Sequence, residues 1–285
     1  MKIAVVGSNG QLGVEMMKCI PIDKIDQYKF FSHADLDITN RDEVFSKMNE
    51  YYPDVIVNCA AYTNVNKASG EGKELARKVN VDGASNLANI CNELNATLIH
   101  ISTDYVFNGK NNVAYKENDD VNPLNVYGMT KLFGEDVISV TKCKYIIIRT
   151  SWLYSSHHKN FFLTIKKLLE DGKDLKVISD QIGTPTWAKD LANAIIGIIN
   201  DNHLDKTGVY HYSNEGVASW FDFACSIREY LGKDNKITPC YSEDYESSVD
   251  RPKFSVLDKS LFKNTFKQEI PYWRSSLLEC IKEVK

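Results

Sequence analysis

The 285-residue chain carries seven cysteines but has no C-x-x-C pair and no cysteine–histidine spacing of the kind that holds zinc. Cys19, Cys59, Cys91, Cys143, Cys225, Cys240 and Cys280 are scattered, so no disulfide frame is signalled. Their odd number suits a reducing cytosol better than secretion. No apolar run reaches the length of a membrane span. The N-terminus enters Lys2–Val6 and then a glycine, too short an apolar stretch for a signal peptide. Formal net charge is −4 with both signs interspersed; no basic block invites nucleic acid and no acidic tail invites disorder. The C-terminal Glu279 and Glu283 sit on an amphipathic pattern without a dense acidic cluster, and no metal is expected. These absences leave a soluble, cytoplasmic protein without a nucleic-acid or membrane partner, long enough for one or two cores.

What is present begins with a strand, a glycine turn and a helix. Lys2–Val6 runs into Gly7-Ser8-Asn9-Gly10-Gln11-Leu12-Gly13 and then Val14–Lys18. Gly7, Gly10 and Gly13 let the backbone turn sharply and lie against a diphosphate at a helix N-terminus. The spacing G-x-x-G-x-x-G differs from the usual dinucleotide fingerprint at its first interval. After the second strand, Tyr28–Phe31, stand Ser32 and His33, neither an NAD-type acid nor an NADP-type arginine. The choice between NADH and NADPH therefore stays open. Asp37 is a candidate for the adenine end, although Asp37-x-x-Asn40 is also an ordinary helix cap.

Asp54–Ala61 reads as a strand buried on both faces, whose small carboxyl-terminal residues would let a cofactor approach. Two helices are expected after it, at about 71–81 and 83–94. The strand Thr97–Ile101 ends in Ser102-Thr103-Asp104, at the end of an open sheet where ligands bind. Next comes the stretch around which the chain is organised, Asn122-Pro123-Leu124-Asn125-Val126-Tyr127-Gly128-Met129-Thr130-Lys131. Asn122 and Pro123 read as a helix start. Tyr127 and Lys131 then share one helical face at i and i+4. A cation beside a phenol favours phenolate and lowers the tyrosine pKa towards the range of proton transfer. A bare Y-x-x-x-K is ordinarily just an exposed helix; its position after the glycine turn and Thr103 gives it weight.

Strands and helices alternate through Lys144–Arg149, the pattern of a doubly wound parallel sheet. The expected organisation is an α/β chain: a Rossmann-type dinucleotide-binding domain over 1–150, and a smaller, mainly substrate-binding lobe over 151–285, partly interleaved with the sheet. The second half has no repeat and no low-complexity tract.

With these features in order, the chain resembles the extended short-chain dehydrogenase/reductase superfamily, and within it the dTDP-4-dehydrorhamnose reductase family. The family's G-x-x-G-Q-L-G is Gly7–Gly13, its S-T-D-Y-V-F-x-G is Ser102–Gly109, and its N-V-Y-G-x-x-K-x-x-G-E is Asn125–Glu135. R-T-S-W-x-Y is Arg149–Tyr154, D-Q-x-G-x-P-T is Asp180–Thr186, and R-P-x-x-S-x-L-D is Arg251–Asp258. The likeness spans nearly the whole chain. It departs at Asn66 and Ser69, where acids are usual, and at Ser155-Ser156-His157-His158, where a glycine-rich turn is commoner. His157 and His158 read as solvated loop residues.

The resemblance implies NADPH-dependent reduction of a nucleotide-linked 4-keto-6-deoxy sugar, NADH being the alternative donor. It makes Thr103, Tyr127 and Lys131 catalytic. Gln11, Leu12, Asp37 and Ile38, then Ala60, Ala61, Tyr62 and Thr63, would line the cofactor, with Ser102 beside them. Thr103, Asp104 and Trp152 would contact the sugar nucleotide. Arg251 is either a diphosphate contact, suited by its planar fork, or a surface ion pair. The rivals are a reductase or epimerase of a UDP-linked sugar on the same scaffold, and a non-catalytic regulatory subunit. The chain is expected to be a monomer or homodimer.

Overall fold

The computed structural model of the chain describes residues 1–244 and 249–284. Among the described residues, the first half runs β1 Ile3–Val6, α1 Gln11–Cys19, β2 Tyr28–Phe31, α2 Arg41–Tyr51, β3 Val55–Asn58, α3 Val65–Ala68, α4 Lys73–Arg77, α5 Gly83–Leu94, β4 Thr97–Thr103, α6 Val126–Ser139 and β5 Lys144–Thr150. The second half runs β6 Leu153–Tyr154, α7 Phe161–Glu170, β7 Leu175–Ile178, β8 Ile182–Gly183, β9 Thr186–Trp187, α8 Ala188–Asn200, β10 Gly208–His211, β11 Ala218–Ser219, α9 Trp220–Leu231, β12 Ile237–Cys240, α10 Ser260–Phe266 and α11 Trp273–Lys282.

Six strands form one parallel sheet in the order β10-β5-β4-β3-β1-β2. The chain moves outward from β1 to β2 and then returns across β1 to β3. That reversal opens a crevice at the carboxyl ends of the strands, the place where such sheets bind ligands. Successive residues alternate between two cores. Ile3, Val5, Val57 and Ile99 pack on the side of α1 and α8; Ala4, Val6, Ile56 and Leu98 pack on the side of α2 and α5. Both faces are covered, which is why the strands read as continuous apolar runs. β10, from the second half of the chain, pairs with β5 and forms one edge of the sheet. A separate core gathers Tyr154, Phe162, Phe223, Trp273 and Leu277 from β6, α7, α9 and α11.

Three local expectations change. α6 does not begin at Pro123: its N-cap is Asn125, extended at φ −142° and ψ 166°, whose side chain accepts from Gly128 N–H at 2.9 Å. Asn125 is buried and its Nδ2 also donates to the Asp250 carbonyl, so a long-range contact selects the later start. The two helices expected at 71–81 and 83–94 are joined without a break by a π turn, Lys78–Asp82. The polar stretch 236–256 opens with β12, which pairs with β7; residues 245–248 within it lie outside the described residues. The seven cysteines are free thiols. Among the described residues no helix is long and apolar enough to cross a membrane, and no group of three or more His, Cys, Asp or Glu is arranged to hold a metal.

Candidate active site

The crevice is a cleft of about 560 Å³. One end is the start of α1. Gly7 has φ +76°, and a Cβ there would stand 2.5 Å from Ala60 N. A Cβ on Gly13 would stand 2.6 Å from the Gly7 carbonyl oxygen. Both positions demand glycine, one for its backbone conformation and both for close approach. Gly10, the N-cap of α1, offers no side chain to the first-turn N–H groups, which are left for a ligand. Gly10, Gln11 and Leu12 line the cleft, as do Ala60, Ala61 and Thr63 beyond β3.

Three of the cofactor candidates, Tyr62, Asp37 and Ile38, do not line the cleft. Tyr62 is clamped by Asn80 of the π turn: Tyr62 N–H donates to Asn80 Oδ1 at 2.9 Å, and Asn80 Nδ2 donates to the Tyr62 carbonyl at 3.1 Å and to Thr130 Oγ1 at 3.0 Å. A π turn of this kind re-aims one side chain within a helix, here towards the β3 loop. Asp37 spends its Oδ1 on the N–H and hydroxyl of Thr39, at 2.9 and 2.8 Å. Ile38 is core, packed where a Cβ on Gly83 would fall.

Towards the other end lie Ser102, Thr103 and Asp104 from β4 and its exit, with Tyr127 and Lys131 on α6. The spacing predicted from i and i+4 thus delivers both α6 side chains to the crevice. The Ser102 hydroxyl donates to Glu135 Oε1, and Glu135 forms a buried two-pronged ion pair with Arg149, closest at 2.7 Å. Through Ser102 this pair ties β4, α6 and β5 together.

Lys131 is buried, and its Nζ donates to the Ile101 carbonyl at 2.7 Å and lies 3.3 Å from His100 Nε2. Burial lowers its pKa to about 8, Glu135 pulling the other way. The expected lowering at Tyr127 does not occur. Desolvation raises its pKa to about 12, with a Thr103 hydrogen bond opposing and Asp104 adding to the rise. The amine that was to stabilise phenolate is turned to Ile101 and His100, so burial wins. At neutral pH Tyr127 is accordingly a full proton donor. Asp104 is also buried; desolvation lifts its carboxyl to about 7 against hydrogen bonds from Ser255 and Thr103.

Trp152 lines the cleft with a left-handed backbone, φ 47°, which costs a non-glycine residue on the order of 1–2 kcal/mol. Its indole lies flat on Trp220, with centroids 3.6 Å apart and planes 6° apart, and Phe161 abuts Trp220 at 4.5 Å. A Cβ on Gly183 would come within 2.7 Å of the Trp152 ring, which explains the glycine of the Asp180–Thr186 motif. Arg251 does not line the cleft; its Nη2 donates to Asn66 Oδ1 at 2.9 Å, and it hydrogen-bonds Tyr105.

Sequence reasoning missed the segment 155–160. Gln11 Oε1 accepts from Ser155 Oγ and Asn160 Nδ2, both at 2.9 Å. His157, read as a solvated loop residue, instead places Nε2 3.2 Å from the Gln11 carbonyl and Nδ1 3.2 Å from the buried Glu15. His158 and Lys159 face the cleft. Trp220 was missed as well. Its position after the capping Ser219 reads only as a helix start, and nothing in its spacing links it to Trp152.

A parallel doubly wound sheet with a glycine turn at its switch point, and a tyrosine and lysine one turn apart beside a threonine, defines a short-chain dehydrogenase/reductase-type oxidoreductase. The chain belongs to the RmlD substrate binding domain family, whose profile matches residues 1–285. It is 37% identical over 284 residues to the spore coat polysaccharide biosynthesis protein SpsK of Bacillus subtilis, covering 99% of this chain and 97% of SpsK. The crystal structure of a dTDP-4-dehydrorhamnose reductase from Clostridium acetobutylicum matches with TM-score 0.95 at 39% identity, over 100% of this chain and 99% of that one. The Bacillus anthracis dTDP-4-dehydrorhamnose reductase in complex with NADP matches with TM-score 0.94 at 35% identity, over 99% and 100%.

Proposed function

We propose that this protein reduces the C4 ketone of dTDP-4-dehydro-β-L-rhamnose to the alcohol of dTDP-β-L-rhamnose, with NADPH, or NADH, as donor. The observation that carries the reading is the convergence of Thr103, Tyr127 and Lys131 on the cleft that starts at the bare N-terminus of α1. Family membership supports it, as do the named reductases similar over nearly the full chain. A dinucleotide suits the residues present: the glycine cradle admits a backbone-hugging diphosphate, and Ala60 and Ala61 keep the middle of the cleft open.

When bound, the nicotinamide supplies the hydride, and the protein must place the ketone and handle the proton. Tyr127 donates its phenolic proton to the carbonyl oxygen as charge builds there. Thr103 hydrogen-bonds the same oxygen or the phenol and aligns the two. Lys131, freed from Ile101, stabilises the phenolate left behind and holds the nicotinamide ribose. Asp104 and Trp152 contact the sugar nucleotide. Arg251, engaged with Asn66 of α3, is held outside the cleft lining. Residues 1–150 serve the cofactor and 151–285 mainly the substrate. The free thiols suit a cytoplasmic enzyme, which we take to be a monomer or homodimer.

The deciding experiment is NADPH oxidation with dTDP-4-dehydro-β-L-rhamnose, the product being read by NMR, beside a panel of UDP-linked ketosugars. Turnover of the dTDP sugar to a C4 alcohol is expected. Turnover of a UDP sugar alone, or NAD retained tightly through purification with epimerised product, would replace this reading with a rival. Cofactor binding with no ketosugar reduced would mark a non-catalytic subunit.

A further inference from the structure

His100 is buried in the middle of β4 beneath Lys131, and the chemistry above leaves it without a task. Its two ring nitrogens face two different nitrogens. Nδ1 lies 3.0 Å from Asn58 Nδ2, and Nε2 lies 3.3 Å from Lys131 Nζ. The Asn58 amide cannot be turned round freely, because its Oδ1 accepts the Ala60 N–H at 3.0 Å. Nδ2 therefore points at the ring and is a donor only, so Nδ1 must be the acceptor. A neutral imidazole that accepts at Nδ1 carries its proton on Nε2. That N–H points at Lys131. An ammonium there would set donor against donor, whereas an amine offers a lone pair. Nζ then has a complete set of roles as an amine: it accepts from His100, donates to the Ile101 carbonyl, and keeps one N–H for the cleft.

We propose that Asn58 and His100 form a tautomer lock that biases Lys131 towards the amine form until an oxygen acceptor enters the cleft. His100 is thus a positioning residue for Lys131. The charges around the ring agree. Burial pushes His100 well below the ordinary histidine range, and any positive charge on Lys131, facing it from α6, pushes it further, so the ring stays neutral. Glu135, a turn further along α6, acts on Lys131 in the opposite direction, and β3 presents the uncharged Asn58. The lock concerns the resting protein; only its value to catalysis rests on the function proposed above.

The test reads protonation without turnover. In the intact, ligand-free protein, imidazole nitrogen NMR should show His100 as the neutral Nε2-protonated tautomer throughout about pH 5 to 8. Lysine Cε NMR, with Lys131→Met to assign the signal, should show Lys131 titrating at least about one pH unit below the exposed lysines. Asn58→Asp keeps the acceptor for Ala60 but faces Nδ1 with an acceptor, so it should flip His100 to the Nδ1-protonated form and raise the Lys131 midpoint by about one unit or more. An Nδ1-protonated or cationic His100 in the wild type would overturn the lock, as would a Lys131 that titrates with the surface lysines. A folded Asn58→Asp protein with an unmoved Lys131 midpoint would do the same. The wild-type spectra decide the matter even if that variant does not fold.

Discussion

Two stretches of the cleft lining are held by different physics. Around β4 and α6 the side chains form a lattice of buried polar bonds: Ser102 to Glu135, Glu135 to Arg149, Lys131 to Ile101, and His100 to Asn58. Around Trp152 the lining is a pile of rings, Trp152 on Trp220 on Phe161, made possible by the missing side chain of Gly183. The polar stretch sets protonation states and tolerates no lost partner, since each buried group relies on another. The aromatic stretch sets shape, and its failure should appear as misplaced substrate while the fold survives.

Perturbing each stretch sharpens the contrast. Tyr127→Phe removes the proton donor and should lower kcat by roughly 10²- to 10⁴-fold while circular dichroism and Tm stay near wild type. An unchanged turnover would remove Tyr127 from its role. Glu135→Ala strands the Arg149 guanidinium in a buried site and should cost about 3–5 kcal/mol in urea unfolding, the cost expected of breaking one half of a buried pair. A loss below about 1 kcal/mol would show that the lattice relaxes onto water.

In the aromatic stretch, Gly183→Ala should push Trp152 off its stack at about 1–3 kcal/mol. The expected signature is a raised KM for the sugar nucleotide with kcat and the KM for NADPH little changed. Equal loss of kcat would instead tie Trp152 to the chemical step.

The remaining effect depends on pH and concerns Asp104. Its folded pKa, about 7, exceeds the ordinary aspartate value of 3.8, so between those values the folded protein binds more protons than the unfolded chain. Its contribution to stability is therefore lost as pH rises through that window, and the penalty is complete above it. Asp104→Asn should raise stability by at most about 4 kcal/mol at pH 8 and by almost nothing at pH 4, as read by paired urea melts. A gain independent of pH would refute the assignment.

The contrast also marks what could be read in advance. The glycine turn, β3 with its small exit residues, and Tyr127 with Lys131 are local: each depends on a spacing within a few residues, and each arrived in the crevice as its spacing required. Asn125 as the cap of α6 was open to reading too, but Pro123 offered an equally good local start. The Asp250 carbonyl, far along the chain, made the choice. His157 looked like a solvated loop residue because its partners, Gln11 and Glu15, lie more than a hundred positions away.

The sequence by itself determined the order of strands and helices, the helix start that leaves N–H groups bare, and the presence of one phenol and one amine on a single helical face. These follow from backbone geometry and side-chain periodicity. Only the tertiary structure decided that the amine turns inward to His100, that burial raises the phenol, and that two tryptophans stack over a glycine. Desolvation and hydrogen-bond partnership depend on everything that surrounds a group in space, and neighbours in space are not neighbours in the chain.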